Sequence, residues 1–428
     1  MIQTIHEATM KMASLSIYKG ILNRTVPKAF YRLLRSGARC AASFRASKDP
    51  LEEELKFLEA WGDFFAVLCQ RGFSEHFAQC LTQTALFDEN AFSLAAAGSC
   101  ETIDPSMKAA VERDISIILE LSQLTGSFIL EQSGMACRAP ELPQWQVGNP
   151  VELFGQEPAE CLRSLWEYYR CSGCGMYARY RAFIWREKKI LPVAHPDPQR
   201  LCELKGYEAP RKMAIDNTVA FLKGLPANNC LLYGDRGTGK SSTVKGLLNE
   251  YYTQGLRVIE MPKEYLMDFP YLVDQIAGIP MKFIIFIDDL SFSQQDGTYA
   301  ALKSVLQGGL AAKPQNALIY ATSNRRHLLR ENFSDRNGDD LHVNDTIQEC
   351  LSLADRFGLA INFTLPDKAR FLEIVYQLAS QRGLEEHLPE LERGAEQWAM
   401  SHGGRSPRVA QQYIAFAEAA LRQDKPLF

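Results

Sequence analysis

Apolar residues in the first part of the chain recur at intervals of three and four. In LEEELKFLEAWGDFFAVLCQRG (51–72) that spacing predicts an amphipathic helix. The stretch after Asp104 repeats it, with Asp104 as N-cap and Pro105 at the first helical position. The first ~170 residues therefore read as mostly helical, and the Gly, Pro and polar residues from Cys137 to Pro150 mark a loop. Around Arg181 to Val193 the pattern shifts toward strand, and HPDP (195–198) marks a loop or linker. Then the period changes. CLLY (230–233) is a short apolar run that enters a glycine-rich loop and a helix from about Lys240. KFIIFIDD (282–289) and NALIYATSN (316–324) are further runs of strand length, separated by helical patterns. Strands alternating with helices imply an α/β core with a parallel sheet covered on both faces. From Asp367 the chain turns helical again. One helix stops at Gly383, a second ends near Gly403, and a third has Ser406 as N-cap and Pro407 in its first turn. The expected order is a mostly helical, partner-binding region (1–178), a strand or linker segment (179–200), an α/β core (201–366) and a helical lid (367–428).

Composition excludes several classes. At 428 residues, 46% hydrophobic and 23% charged, the chain can bury a sizeable core. No apolar run approaches the ~18–20 residues of a membrane span, and the first twenty residues lack the apolar block of a secretory signal. Eleven cysteines are too sparse for a disulfide scaffold, so a reducing, cytoplasmic setting is expected. Charge is uneven. Residues 1–48 hold nine Lys or Arg and one acid, Glu7, a net +8, whereas residues 49–150 hold five basic and sixteen acidic residues, a net −11. The basic arm has three readings: a helix packed on its acidic neighbour, a surface for nucleic acid, anionic membrane or an acidic partner, or an organellar leader.

Chemistry enters at Gly234-Asp235-Arg236-Gly237-Thr238-Gly239-Lys240-Ser241, which fits G-x-x-x-x-G-K-[ST] at every fixed position, with Ser242 following as a further candidate contact. Glycines let backbone N–H groups close around phosphate oxygens, and the helix that follows adds its positive dipole end. Lys240 offers a point charge to the β- and γ-phosphates, and Ser241 a hydroxyl to Mg²⁺. Forty-eight residues after Lys240, KFIIFIDDL sets Asp288 and Asp289 at the exposed end of a buried strand. The first carboxylate suits Mg²⁺ held through water, and the second suits orienting or deprotonating the attacking water. Together these motifs predict ATP and Mg²⁺ binding.

With these motifs the chain resembles the AAA+ P-loop ATPases, and within them an uncharacterised bacterial family known only as domain of unknown function eight-fifteen. The resemblance runs from about Leu201 to Ile414 through LKGYEAPRKMAIDNTVAFLKG, LLYGDRGTGKSS, FIIFIDDLSF, YATSNRRHL, SLADRFGL and GGRSPRVAQQYI. It implies an AAA+ core with a C-terminal helical lid. It also implies that Asn324 is the polar sensor contacting γ-phosphate and attacking water, that Arg356 is an arginine finger reaching a neighbouring subunit's nucleotide, and that Arg408 is the second sensor in the lid. Arg405, three residues earlier, competes for the last role. Many AAA+ enzymes carry Asp-Glu where this chain has Asp288-Asp289. The shorter second carboxylate implies slow turnover until a partner adjusts the site, and the Asp-Asp form also occurs in the initiator and helicase-loader branch.

Other features are less specific. Cys171 and Cys174 form a lone CxxC, read as structural, zinc-binding with Cys161 or His195, or redox-active. Arg325, Arg326 and His327 follow the sensor Asn, and residues 331–349 form a long acidic connection. RYRAFIWREKK (179–189) interleaves aromatic and basic residues, as single-strand binders do and as an amphipathic edge strand also does. The expectation is an oligomeric ATPase, with nucleotide at subunit interfaces, that couples ATP binding and hydrolysis to remodelling of an unknown macromolecular partner. A nucleic-acid-associated loader and an ATP-binding switch with little turnover are the alternatives.

Overall fold

The computed structural model describes residues 2–45, 51–98, 102–290, 302, 306, 314–324, 356–423 and 425. They fall into two compact units, Met1–Arg179 and Tyr180–Phe428.

The first unit is helical, with α1 (Ile5–Ala13), α2 (Thr25–Arg45), α3 (Leu51–Gln70), α4 (Phe77–Leu86), α5 (Ala91–Ala97), α6 (Pro105–Ser122), α7 (Gly126–Ser133), α8 (Pro158–Ser172) and α9 (Gly175–Arg179). The three-and-four periodicity of α3 buries Phe57, Trp61, Phe64 and Leu68 on one face. At the start of α6 the Asp104 carboxylate accepts from the N–H groups of Ser106 and Met107, and Pro105 occupies the first turn. The loop expected between Cys137 and Pro150 contributes to the core. Trp145 packs edge-on against Phe64 at 5.0 Å and donates its indole N–H to the Leu124 carbonyl at 3.1 Å.

Seven strands among the described residues of the second unit form one sheet: β1 (Ala182–Arg186), β2 (Lys189–Pro192), β3 (Asn229–Gly234), β4 (Leu256–Glu260), β5 (Lys282–Ile287), β6 (Ala317–Ser323) and β7 (Gly358–Phe363). Their spatial order is β2-β1-β4-β5-β6-β3-β7. Only the β1–β2 pair is antiparallel. The helices are α10 (Glu208–Leu222), α11 (Lys240–Tyr251), α12 (Phe269–Ile276), and C-terminally α13 (Lys368–Gln381), α14 (Leu388–Ser401) and α15 (Pro407–Leu421). All seven residues of β6 are buried, as a strand covered on both faces requires. The last three helices close on their own cluster, which includes Phe371, Val375, Leu391 and Tyr413. This is the α/β core with parallel sheet and helical lid expected from the motifs, preceded by a helical region.

The 179–189 segment forms the β1 arm of a hairpin that extends the sheet. Phe183 and Trp185 are buried, and Trp185 donates to Asp268 at 3.3 Å, so these aromatic faces are packed within the protein. The hairpin turns at Glu187 and Lys188, both at positive φ (51° and 58°), a tight-turn geometry usually marked by Asn or Gly. Register then gathers the site. Gly234 of β3 pairs with Phe363 of β7, Tyr233 with Ser323 of β6, and Ala321 of β6 with Ile287 of β5. The residues that leave these strands therefore emerge together at one sheet edge.

Candidate functional site

The loop between β3 and α11 is built from constraints a side chain would violate. Gly234 has φ +130°, and a Cβ there would come within 2.2 Å of the Phe363 carbonyl oxygen. A Cβ on Gly237 would meet Ser406 Oγ at 2.8 Å. Asp235 ties the loop to the end of β7: its N–H donates to Phe363 O at 2.9 Å, and its carboxylate accepts from the Leu365 N–H at 2.7 Å. Lys240 is buried and bends back over the loop, donating to the carbonyls of Gly234 (2.9 Å) and Asp235 (2.6 Å). Burial lowers its pKa, opposed by the carboxylates of Asp235, Asp289 and Asp288.

Asp288 and Asp289 leave β5 beside this loop. Asp288 Oδ1 accepts from Ser241 Oγ at 2.6 Å and from Thr322 Oγ1 at 2.5 Å. Asp289 lies in the left-handed region (φ 51°), which Asp tolerates better than most residues. Its N–H donates to Thr322 Oγ1 at 2.9 Å. β6 lies between β5 and β3, so Asn324, just past its end, is placed between the two motifs. Its Nδ2 donates to Asp289 Oδ1 at 2.7 Å, and its Oδ1 accepts from Lys240 at 3.3 Å. Lys240, Asn324 and Asp289 thus form one hydrogen-bonded chain, and Ser241, Asp288 and Thr322 another.

These groups line a cavity of about 400 Å³ whose walls also include Arg236, Gly237, Thr238, Gly239 and Ser242. The carbonyls of Gly234 and Asp235 reach it through Lys240. Arg408 lines the cavity from α15, and its N–H donates to Gly237 O at 3.2 Å. Arg405 is committed elsewhere: its guanidinium makes a two-point pair with Glu396 at 3.0 and 2.9 Å. Arg356 is not among the lining residues. It sits half-buried ahead of β7, whose first residue pairs with Asn229 at the start of β3, whereas the loop follows the end of β3. Arg356 lies in the turn before β7, and the six residues of that strand, on the order of 17–20 Å at strand rise, run from there to Phe363.

Sequence reasoning missed Thr322 and the wall formed by Leu204, Tyr207, Arg211, Phe363 and Gln411. Tyr207 stacks on Phe363 at 5.4 Å and donates its hydroxyl to the Thr364 carbonyl at 2.6 Å. Arg211 donates to Leu204 O at 2.6 Å, and burial lowers its pKa. A hydroxyl residue interrupting an otherwise apolar strand was the available signal for Thr322. Nothing local marked the wall, which is assembled from distant segments.

In the helical unit Cys171 is exposed, while burial pushes the thiol of Cys174 up to about 11. Cys161 is buried and donates to Gln156 O. Among the described residues no group of three or more His, Cys, Asp or Glu could hold a metal ion, and no helix is long and apolar enough to cross a membrane. Arg325, Arg326, His327 and residues 331–349 lie outside the described residues.

Residues 178–421 match the model of a family described as protein of unknown function, DUF815. No curated protein matches. Among solved structures, a threonine-to-valine variant of Thermotoga maritima RuvB is similar with 14% identity and a TM-score of 0.37, over 54% of this chain and 67% of that one. A lysine-to-arginine mutant of the same T. maritima protein gives 14% and 0.36 over 54% and 68%. A third structure, of the T. maritima RuvB Holliday junction branch migration motor, gives 14% and 0.35 over 54% and 67%.

Proposed function

The chain belongs to the DUF815 family, and we propose that it is an AAA+ P-loop ATPase that converts ATP binding and hydrolysis into a change in a macromolecular partner. The observation that carries this reading is the convergence of two hydrogen-bonded chains, Lys240–Asn324–Asp289 and Ser241–Asp288–Thr322, on one cavity at the ends of parallel strands. Open α/β sheets bind ligands at that edge.

In this reading the backbone N–H groups from Gly237 to Ser242 cradle the phosphates at the start of α11. Lys240 exchanges its carbonyl partners for the β- and γ-phosphates, at little cost because those carbonyls are neutral. Ser241 and Asp288 are hard oxygen donors 2.6 Å apart, a pairing that fits Mg²⁺ and offers nothing to a soft metal. Bound there, Mg²⁺ supplies charge neutralisation on the β- and γ-phosphate oxygens. Asp289 orients the attacking water and receives its proton, and Asn324 steers both water and γ-phosphate. Arg408 joins from the lid. Arg356, on the far edge of its own sheet, serves a neighbouring subunit's nucleotide, so turnover depends on assembly.

The shorter second carboxylate of the Asp288-Asp289 pair favours slow basal turnover until a partner adjusts the site. ATP titration calorimetry and phosphate release test the reading together. Lys240→Ala should abolish both signals, and Asp289→Asn should retain binding while losing turnover. A wild-type chain that binds no ATP at millimolar concentration would sink it.

A further inference from the structure

The positive charge of the N-terminal arm is organised by α2. Lys28, Arg32, Arg35 and Arg39 follow at steps of four, three and four, and all four are exposed. At 3.6 residues per turn they fall within about 60° of arc and span about 16 Å. The helix TVPKAFYRLLRSGARCAASFR has no acidic residue of its own. Its opposite face is fixed in the core by Phe30, Leu33, Leu34 and Cys40. That burial holds the basic stripe facing outward.

Among the described residues little neutralises the stripe. Arg32 pairs with Asp63 of α3 at 2.9 Å, with both side chains more than half exposed. Arg35 lies over the Tyr31 ring at 5.7 Å. Lys28 and Arg39 have no ion-pair partner among the described residues. The bland explanation of the arm, a helix paired with its acidic neighbour, therefore accounts for one of the four charges.

We propose that this face of α2 binds the sugar-phosphate backbone of nucleic acid without regard to sequence. Three of the four charges are guanidinium forks, which match phosphate oxygens two at a time. Over about 16 Å one strand of a duplex presents about five phosphates, a supply that fits four cations in line. A membrane surface fits less well. Interfacial helices sink large apolar side chains beside their basic ones, and among the described residues none of the exposed large apolar ones lies on α2. The proposal concerns the helical unit and does not depend on the ATPase reading.

The test is fluorescence anisotropy of a labelled 20-base-pair DNA duplex with the full-length chain at graded salt. Four phosphate contacts predict a slope of log K against log salt of about −3.6, or a roughly hundredfold loss between 50 and 200 mM. Arg35→Gln with Arg39→Gln should remove about half of that slope while circular dichroism stays unchanged. Asp63→Asn releases Arg32 and should tighten binding a few-fold, a gain that misfolding cannot imitate. Absence of binding at 50 mM salt, or a slope that the double variant leaves intact, overturns the proposal. So does capture by phosphatidylserine vesicles or polyglutamate in place of DNA, which would reassign the face to a membrane or an acidic protein.

Discussion

The side-chain amide of Asn324 holds the carboxylate of Asp289 at 2.7 Å, while its oxygen accepts from Lys240. One residue thereby joins the group proposed to position water to the group proposed to hold phosphate. Asn324→Ala cuts both links. Because the amide is proposed to act on the reacting groups, turnover should fall about 10²- to 10³-fold, the usual cost of one preorganised donor, while ATP affinity changes little. Single-turnover hydrolysis beside equilibrium binding separates the two quantities. An equal loss in both would mean that Asn324 only shapes the cavity.

Arg356→Ala should leave ATP affinity nearly intact and lower turnover about a thousandfold or more, the range for arginine fingers. The specific rate of the wild type should climb with protein concentration. Mixing the variant with Lys240→Ala distinguishes action within a chain from action between chains. Restored activity in the mixture requires the latter, since each variant supplies what the other lacks.

Gly234→Ala should damage the fold as well as the site. Its φ of +130° and the 2.2 Å approach of a Cβ to Phe363 O leave no room for relaxation between adjacent strands. Strain of this kind costs about 2–4 kcal/mol. Urea denaturation should register the loss. Gly239→Ala, whose Cβ would meet nothing within 4 Å, retains only the backbone penalty of φ +91° and should lose less.

Glu396 gives the lid one pH-dependent contact. Hydrogen bonds from Arg405 hold its carboxyl below the ordinary glutamate value of 4.5. A depressed carboxyl pKa contributes stability above the unfolded value, and that contribution is lost as pH falls through the folded one. Protection factors in α14 and α15, which discount the intrinsic slowing of amide exchange in acid, should therefore fall a few-fold on acidification through and below about 4.5. Arg405→Ala should show the lower protection already at neutral pH and lose little more in acid. Identical pH profiles in the two proteins would remove Glu396 from this role.

The phosphate loop was legible in the sequence because a single local task, closing backbone around phosphate, dictates consecutive residue types. The Asp288-Asp289 pair followed because a five-residue apolar run, FIIFI (283–287), points it out of the sheet. β4 and β7 were not separated as strands from their surroundings, since five or six residues with an interior Arg257 or Asn362 carry a weak pattern. The β1–β2 turn was hidden because Glu187 and Lys188 adopt a conformation that Gly or Asn normally announces. Thr322 and the Tyr207–Phe363 wall depend on neighbours distant in sequence. Likewise, that Arg408 lines the cavity while Arg405 pairs with Glu396 depends on neighbours distant in sequence.

β7 follows the Arg356–Phe357 turn and ends at Phe363, whose carbonyl grips Asp235 and whose backbone crowds Gly234. The loop between β3 and α11 is thus bolted to the strand beside it as well as to the one it leaves. Its shape is inherited from the sheet before any ligand arrives, and a change that loosens the end of β7 should slacken the loop without altering a residue of the loop itself.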